Sequence, residues 1–244
     1  EISECLVGSE MCIRDRLDDE KQILISAPPL KAKNYDFTRL ISAVDYPVVV
    51  MNDARAEAYA DHWFNGKPED EKIYIMLGEG VGGAYINASA IRNGVHNRGG
   101  EFGHMVIHPG GKQCLCGKKG CFEAYVSEKV LSSELDMTLD NFFELAAQGN
   151  KNNSNVLDEY MDNLALGINN IYTMMDCDIV LGGTVAPYLK QYDDSIKERL
   201  VNDYSFDTDA DYLRISDGGG RKSGLGAALS FCLLYTSPSP RDTR

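Results

Sequence analysis

The sequence predicts an α/β fold, in which short apolar strands alternate with amphipathic helices. Runs of apolar and β-branched residues recur along the chain, as at residues 72–77. Longer stretches with apolar residues at helical spacing lie between them, above all residues 156–175. Glycine turns follow two of the apolar runs, at 78–83 and 182–183, as expected where a strand ends in a loop.

The first part of the chain is predicted to contain two strands and two helices. Apolar runs at 22–26 and 48–51 are typical of buried strands. Residues 37–43 and 54–63 are the predicted helices. The second helix follows Asn52-Asp53, and both residue types are favoured at helix N-termini.

The alternation continues to the end of the chain and becomes mainly helical after residue 126. The glycine turn at 78–83 separates the strand at 72–77 from a further extended run at 84–87. The later predicted helices are one capped by Ser127 and those at 138–147, 156–175, 185–201 and 224–230. The later predicted strands lie at 178–181, directly before a glycine turn, and at 212–215.

Both ends of the sequence are predicted not to be native protein. Residues 5–15 and 232–242 can be encoded by opposite strands of one DNA segment, which resembles a transposase sequencing adaptor. We therefore leave residues 1–16 and 232–244 out of the fold prediction. The native part is then about 17–231, and we expect its own first and last residues to be missing.

Charge and cysteine usage narrow the class of protein. The formal charge of −13 disfavours nonspecific attraction to nucleic acid through this segment. Three of the four cysteines within 17–231 lie between residues 114 and 121, a clustering typical of metal binding in a reducing compartment. No apolar run approaches the ~20 residues that a membrane span needs. We therefore expect a cytoplasmic protein without a membrane partner.

One segment has the pattern of a closed zinc site. Its possible ligands are one imidazole and three thiols: His104, Cys114, Cys116 and Cys121. A tetrahedral site of this composition has no open position, so the zinc ion would be structural. The alternative, buried cysteines and an unrelated histidine, is disfavoured because the cysteines cluster in a hydrophilic stretch. Glu101 and Glu123 flank the set and are candidates for holding a ligand, because carboxylates are strong acceptors.

These motifs resemble those of the ROK family, which contains bacterial sugar kinases and sugar-responsive repressors. The matching features are Asn52-Asp53, the turn at 78–83, Glu101 with His104, and the Cys-x-Cys-Gly-x-x-Gly-Cys-x-Glu block at 114–123. The resemblance covers about residues 22–231. It implies the actin-like ATPase (ribonuclease H-like) two-domain α/β fold, here without its N-terminal part.

The resemblance and the polar stretch at 65–72 together predict the domains. Residues 17–70 would be a remnant of the smaller N-terminal α/β domain. Residues 71–220 would form the larger domain, which binds sugar and zinc. Residues 221–231 would be a C-terminal helix that returns to the small domain.

The resemblance also implies roles for the motif residues. Asp53 matches the general base that kinases of the family use on the sugar hydroxyl, although it could instead be only a helix N-cap. The positions that match sugar-binding groups are Asn52, Asp53, Glu101, His104 and Glu123. Those that match zinc ligands are His104, Cys114, Cys116 and Cys121. Those that match nucleotide-binding glycines are Gly78, Gly80, Gly82, Gly182 and Gly183, of which the last two could also form a plain turn.

The first glycine turn departs from the kinase pattern at Glu79, where kinases of the family have Thr. A hydroxyl and backbone amides can hold a phosphate, whereas a carboxylate repels it. At ~4–5 Å and an effective dielectric constant of about 20, each such repulsion is on the order of 3–4 kcal/mol before screening. Glu79 therefore argues against efficient use of ATP.

Two main functions stay open, and Glu79 favours the first. One is the sugar-sensing portion of a ROK-type transcriptional regulator, which would bind DNA only through an upstream domain. The alternative is an ATP-dependent hexose or N-acetylhexosamine kinase that uses Mg²⁺, with Asp53 as general base. Both would bind a sugar or amino sugar, contain structural Zn²⁺ and form a homodimer or higher homo-oligomer. A sugar-binding protein with neither role is a third alternative.

Overall fold

The computed structural model describes residues 16–18, 21–27, 32–43, 45, 48, 50–67, 70–87, 90–216 and 223–229. Apart from Arg16, the segments predicted to derive from an adaptor lie outside these residues. The chain divides into two compact units, one formed by residues 1–68 with 221–244 and the other by 69–220.

The first unit contains a three-stranded antiparallel sheet and three helices among its described residues. Its strands, in the order β1-β2-β3, are β1 (Arg16–Asp18), β2 (Ile23–Ala27) and β3 (Ala32–Asp36). Its helices are α1 (Thr38–Ile41), α2 (Asp53–Asn65) and one at 223–229. Leu17, Leu24, Phe37 and Val50 are buried together and form the apolar core of this unit.

Small residues allow the helix at 223–229 to approach α2 closely. A Cβ on Gly226 would lie only 1.6 Å from the carbonyl oxygen of Ala56, so no larger residue fits there without a shift. Ala54, Ala58 and Ala60 on α2 are fully buried. The close approach at Ala56 explains the glycine at position 226, and the alanines of α2 also favour helix formation.

The strand predicted at 48–51 is not present at residues 48, 50 and 51, which are the described ones of that stretch. The side chain of Gln22 supplies the reason. Its Oε1 accepts a hydrogen bond from the Val50 N–H at 2.7 Å, and its Nε2 donates to the Val50 carbonyl at 3.4 Å. A side-chain amide thus satisfies backbone groups that a neighbouring strand would otherwise pair.

The second unit is built on a mixed sheet in the order β6-β5-β4-β7-β8. Its strands are β4 (Glu71–Leu77), β5 (Val81–Asn87), β6 (Ala90–Ile91), β7 (Asp178–Gly182) and β8 (Leu213–Ile215). β5 runs antiparallel to β4 and β6, whereas β7 runs parallel to β4 and β8. All residues of β4 after Glu71 are buried, as expected for a central strand covered on both faces.

Helices of the second unit pack on this sheet. They are α3 (Glu123–Val126), α4 (Glu128–Leu131), α5 (Leu139–Ala147), α6 (Lys151–Met175), α7 (Ala186–Leu189) and α8 (Asp193–Arg199). The long helix α6 buries Leu164, Ile168 and Ile171 in the same core as Ile73 and Ile75 of β4. It begins at Lys151, before the predicted start at residue 156, because the Asn150 side chain caps it.

The helix predicted at 185–201 is interrupted. α7 leads into a 3₁₀ turn at Lys190–Tyr192, and α8 is followed by a π-helical turn at Leu200–Tyr204. The break lies at Tyr192, whose φ of −112° and ψ of 10° fall outside the helical region. None of the helices in the described part of the chain combines the length and apolar character that a membrane span requires.

Candidate metal and ligand site

Residues 104–121, which we call the knuckle, bring four metal-binding side chains together. The ligand atoms of these four residues all lie within 4.8 Å of one another: His104, Cys114, Cys116 and Cys121. Two isolated β-bridges, Val106 with Cys121 and Gln113 with Lys119, hold the loop closed. The sequence spacing therefore predicted the cluster correctly.

The spacing inside the cluster fits one tetrahedral metal ion. The sulfur atoms of Cys116 and Cys121 are 3.7 Å apart, and Cys114 Sγ is 3.9 Å from His104 Nδ1. With Zn–S bonds of about 2.3 Å and Zn–N bonds of about 2.0–2.1 Å, tetrahedral ligand atoms lie ~3.5–3.8 Å from each other. An ion of that size would therefore fit with little rearrangement of the side chains.

Burial favours the neutral thiol form of Cys114 and Cys121. Removal from water raises the pKa of the Cys114 thiol, and the same cause raises the pKa of Cys121. Metal ions bind the thiolate form, so loading the knuckle would release protons.

Glu101 lies beside the ring nitrogen of His104 that faces away from the cluster. Its Oε2 is 3.8 Å from His104 Nε2, while Nδ1 of the same ring points to Cys114. His104 is the last residue of the 3₁₀ turn Phe102–His104, and Glu101 directly precedes this turn. The turn therefore brings the two side chains next to each other. A carboxylate next to the second nitrogen of a metal-binding histidine helps to orient the ring.

Glu123 lies between the knuckle and the first glycine turn. It is the first residue of α3. Its Oε2 accepts a hydrogen bond from the Val81 N–H at 3.1 Å, and its Oε1 is 3.6 Å from Cys114 Sγ. A Cβ on Gly80 would come within 2.9 Å of the same Oε2, so a side chain at this turn position would displace the Glu123 carboxylate.

The first glycine turn is shorter than predicted. The Gly78 N–H donates to the Gly80 carbonyl at 3.0 Å, and β5 already begins at Val81. Gly82 and Gly83 therefore belong to the strand, where Gly82 pairs with Met76. The Glu79 side chain is exposed at the tip of the turn.

The second glycine turn lies next to the first, because parallel neighbours β4 and β7 end at the same edge of the sheet. The Val185 N–H donates to the Leu77 carbonyl at 3.1 Å. Gly183 has a φ of +84°, and a Cβ there would lie 2.4 Å from the same carbonyl oxygen. Glycine is thus required at this position both for its conformation and for the close approach.

A cavity of about 590 Å³ lies beside the second turn. Its lining residues are Glu128, Ser132, Ser133, Met137, Thr138, Leu139, Thr184, Pro187 and Tyr188. They include one acid and no lysine, arginine or histidine. Tyr188 forms one wall, and its ring stacks on Phe143 with the centroids 4.7 Å apart.

Glu128 touches both glycine turns, and the sequence did not single it out. Its N–H donates to the Gly78 carbonyl at 2.7 Å, and its Oε2 accepts a hydrogen bond from the Thr184 hydroxyl at 2.5 Å. The only local signal was its place after Ser127, which indicates the first turn of a helix. Ser127 does occupy that N-cap position, but without a capping bond from its side chain.

Asn52 and Asp53 belong to the first unit. The Asn52 side chain is the N-cap of α2 and accepts from the Arg55 N–H at 3.2 Å. Asp53 is the first helical residue, is buried, and accepts from the Ala54 N–H at 2.8 Å. The N-cap position is therefore taken by Asn52, and the role of Asp53 in chemistry stays a prediction.

Known proteins that resemble the chain include both repressors and kinases. The xylose repressor of Bacillus subtilis (strain 168) is 29% identical over 183 residues, which are 72% of this chain and 47% of the repressor. The N-acetylmannosamine kinase of Yersinia pestis (strain Pestoides F) is 29% identical over 157 residues, 62% of this chain and 53% of the kinase. The chain thus spans about half the length of these curated relatives.

Solved structures confirm the predicted actin-like fold. A ROK glucokinase from Streptomyces griseus, in complex with glucose and AMPPNP, gives a TM-score of 0.77 at 24% identity, covering 89% of this chain and 78% of that one. A ROK transcriptional regulator homologous to the MLC protein of E. coli gives 0.74 at 23% identity, covering 91% and 61%. The model of the ROK family matches residues 3–230, a range that includes part of the segment predicted to derive from an adaptor. The chain belongs to the ROK family.

Proposed function

We propose that this chain is the sugar-binding, effector-sensing portion of a ROK-type transcriptional regulator. The observation that carries the proposal is Glu79, a carboxylate at the tip of the turn where the family's kinases have threonine. Because its side chain is exposed, water reduces its repulsion of a phosphate below the unscreened value. Glu79 therefore weakens the binding of a polyphosphate without blocking the turn.

The knuckle is proposed to hold a structural zinc ion. Three thiolates and one imidazole are a common zinc donor set, and the ligand spacing suits that ion. Zinc would hold the loop closed, and its ligand His104 contacts Glu101, while its ligand Cys114 contacts Glu123. The metal would thus fix two acceptor groups without taking part in chemistry.

The ligand is proposed to be a sugar or amino sugar. Glu101 and Glu123 are both half-buried, and together they offer several acceptor sites for sugar hydroxyl donors. Asn52, Asp53 and His104 are included on the basis of the family resemblance. DNA binding through an upstream domain, and assembly into a homodimer or higher homo-oligomer, belong to the same proposal.

An ATP-dependent hexose or N-acetylhexosamine kinase is the second candidate. The cavity beside Gly182 and Gly183 favours it, because its volume and aromatic wall suit a nucleobase. In that case Asp53 would take the proton from the attacking sugar hydroxyl, and Mg²⁺ would accompany ATP.

The complete gene product separates the two functions. ADP release is measured with a panel of hexoses and N-acetylhexosamines, and operator DNA binding is measured with and without the same sugars. For a regulator we expect DNA binding that a sugar weakens, and no sustained ADP release. Sugar-dependent turnover that Asp53→Asn abolishes would instead establish the kinase and exclude a pure regulator.

A further inference from the structure

Glu128 lies where a ligand that spans the two glycine turns would pass. As the first residue of α4 it is fixed to the first turn, through its N–H bond to the Gly78 carbonyl at 2.7 Å. Its carboxylate reaches the second turn and accepts from the Thr184 hydroxyl. One residue therefore bridges the crevice at the carboxyl ends of β4 and β7, where open α/β sheets bind their ligands.

Two of the five hydroxyl groups in the cavity lining donate to carboxylates. Thr184 donates to Glu128, and Tyr188 donates to Asp140 at 2.5 Å. A phosphate group needs donors or cations, and the described cavity lining supplies no cation. The half-buried Glu128 is the single charged residue of that lining, and water screens it less than the exposed Glu79.

We propose that Glu128 is the residue that excludes nucleotides from this cavity. It repels the phosphates and occupies the Thr184 hydroxyl that could otherwise bind them. This inference rests on the proposed regulator function, since a working kinase could not keep its nucleotide out. Glu128 is thus a specificity-determining residue, and Glu79 adds a weaker, screened contribution.

The variant Glu128→Gln tests the proposal. Glutamine keeps the size of the side chain and can still accept the bond from Thr184, but it removes the charge. Glu134→Gln is the matched control, because Glu134 is an exposed acid in the 3₁₀ turn Ser133–Leu135, near the cavity but outside its lining. Binding of Mg²⁺·AMPPNP is measured by titration calorimetry on the complete gene product, and circular dichroism verifies the fold of each variant.

We expect Glu128→Gln to bind AMPPNP about tenfold to a hundredfold more tightly than the unchanged protein, since one close like-charge contact is removed. Glu134→Gln should bind like the unchanged protein. Equal affinity of all three proteins would overturn the role of Glu128, whether or not sugar-dependent DNA binding is seen. If the unchanged protein binds AMPPNP tightly and also releases ADP from ATP, the regulator function itself would be overturned, and the exclusion of nucleotides with it.

Discussion

Val81 donates its backbone N–H to Glu123 Oε2 at 3.1 Å, so the first glycine turn and the knuckle share one carboxylate. The other oxygen of Glu123 lies 3.6 Å from Cys114 Sγ. A movement of the first glycine turn or of the knuckle would therefore also move the Glu123 carboxylate. If Glu123 binds a sugar hydroxyl, the metal ion would determine the affinity for sugar through this carboxylate.

Removal of the Glu123 carboxylate should weaken sugar binding and leave the metal in place. Glu123 is not one of the four clustered ligands, so Glu123→Ala should keep the zinc content of the unchanged protein. The affinity for the cognate sugar should fall at least about tenfold, because a hydrogen bond to a charged group contributes about 1.5–3 kcal/mol. Calorimetry measures the affinity, and atomic emission measures the zinc. Unchanged affinity would exclude Glu123 from the sugar site.

Gly80→Ala provides a second test of the same carboxylate without a change in charge. The new Cβ would lie 2.9 Å from Glu123 Oε2 and would force the carboxylate to shift. We expect weaker sugar binding, in the same direction as Glu123→Ala, with unchanged zinc content. Full affinity in Gly80→Ala would indicate that the position of this carboxylate is unimportant.

Loss of one thiol should release the metal. In Cys116→Ser the cluster keeps only three strong ligands, so zinc content should fall well below about one ion per chain. Sugar binding should weaken with it. Cys177→Ser is the matched control, because Cys177 is the fourth cysteine within 17–231 and is outside the cluster. Retention of zinc by Cys116→Ser would contradict the proposed coordination.

The sequence predicted those features that depend on local pattern. Helix α6 follows from its apolar spacing, and the knuckle follows from closely spaced cysteines, whose four-residue cluster the structure brings together. The strand predicted at 48–51 is absent at the described residues 48, 50 and 51, where the Val50 backbone bonds to the side chain of Gln22, 28 residues earlier in the chain. A local pattern contains no information about such a contact.

Glu128 was missed for the same physical reason. Its significance comes from Gly78 and Thr184, which lie on either side of it in sequence and meet only because β4 and β7 are neighbours. The resemblance identified the glycines of both turns. It could not indicate that an acid bridges them, because that requires the packing of α4 against the sheet edge.

Gly167→Ala should destabilise the second unit through Phe122. A Cβ on Gly167 of α6 would lie 2.2 Å from the ring of Phe122. Phe122 is fully buried, and its neighbours in sequence are Cys121 and Glu123. Overpacking of this kind costs about 1–3 kcal/mol in the free energy of unfolding, which urea titration measures. Phe122→Leu, although destabilising alone, should reduce the added cost of Gly167→Ala in a double-mutant cycle. Additive effects would contradict the contact.

Tyr160 should make the protein less stable at high pH. Its hydroxyl is buried and donates to the Val126 carbonyl at 2.8 Å, and burial, followed by the charge of Glu128, raises the pKa of Tyr160. Above pH ~10 the unfolded chain releases this proton while the folded chain keeps it, so the free energy of unfolding falls as pH rises. At neutral pH the same group is protonated in both states, and it contributes its hydrogen bond without a pH dependence.

Tyr160→Phe should therefore have opposite effects in the two pH ranges. At pH 7 it should cost about 1 kcal/mol, because the Val126 carbonyl loses its donor. Above pH ~10 its stability should decline less steeply than that of the unchanged protein, since one proton fewer is released on unfolding. Tyr35→Phe is the control, because the Tyr35 side chain is exposed, and it should follow the unchanged protein. Urea unfolding from pH 7 to 11 measures all three, and parallel curves for Tyr160→Phe and the unchanged protein would show that the Tyr160 proton is not retained on folding.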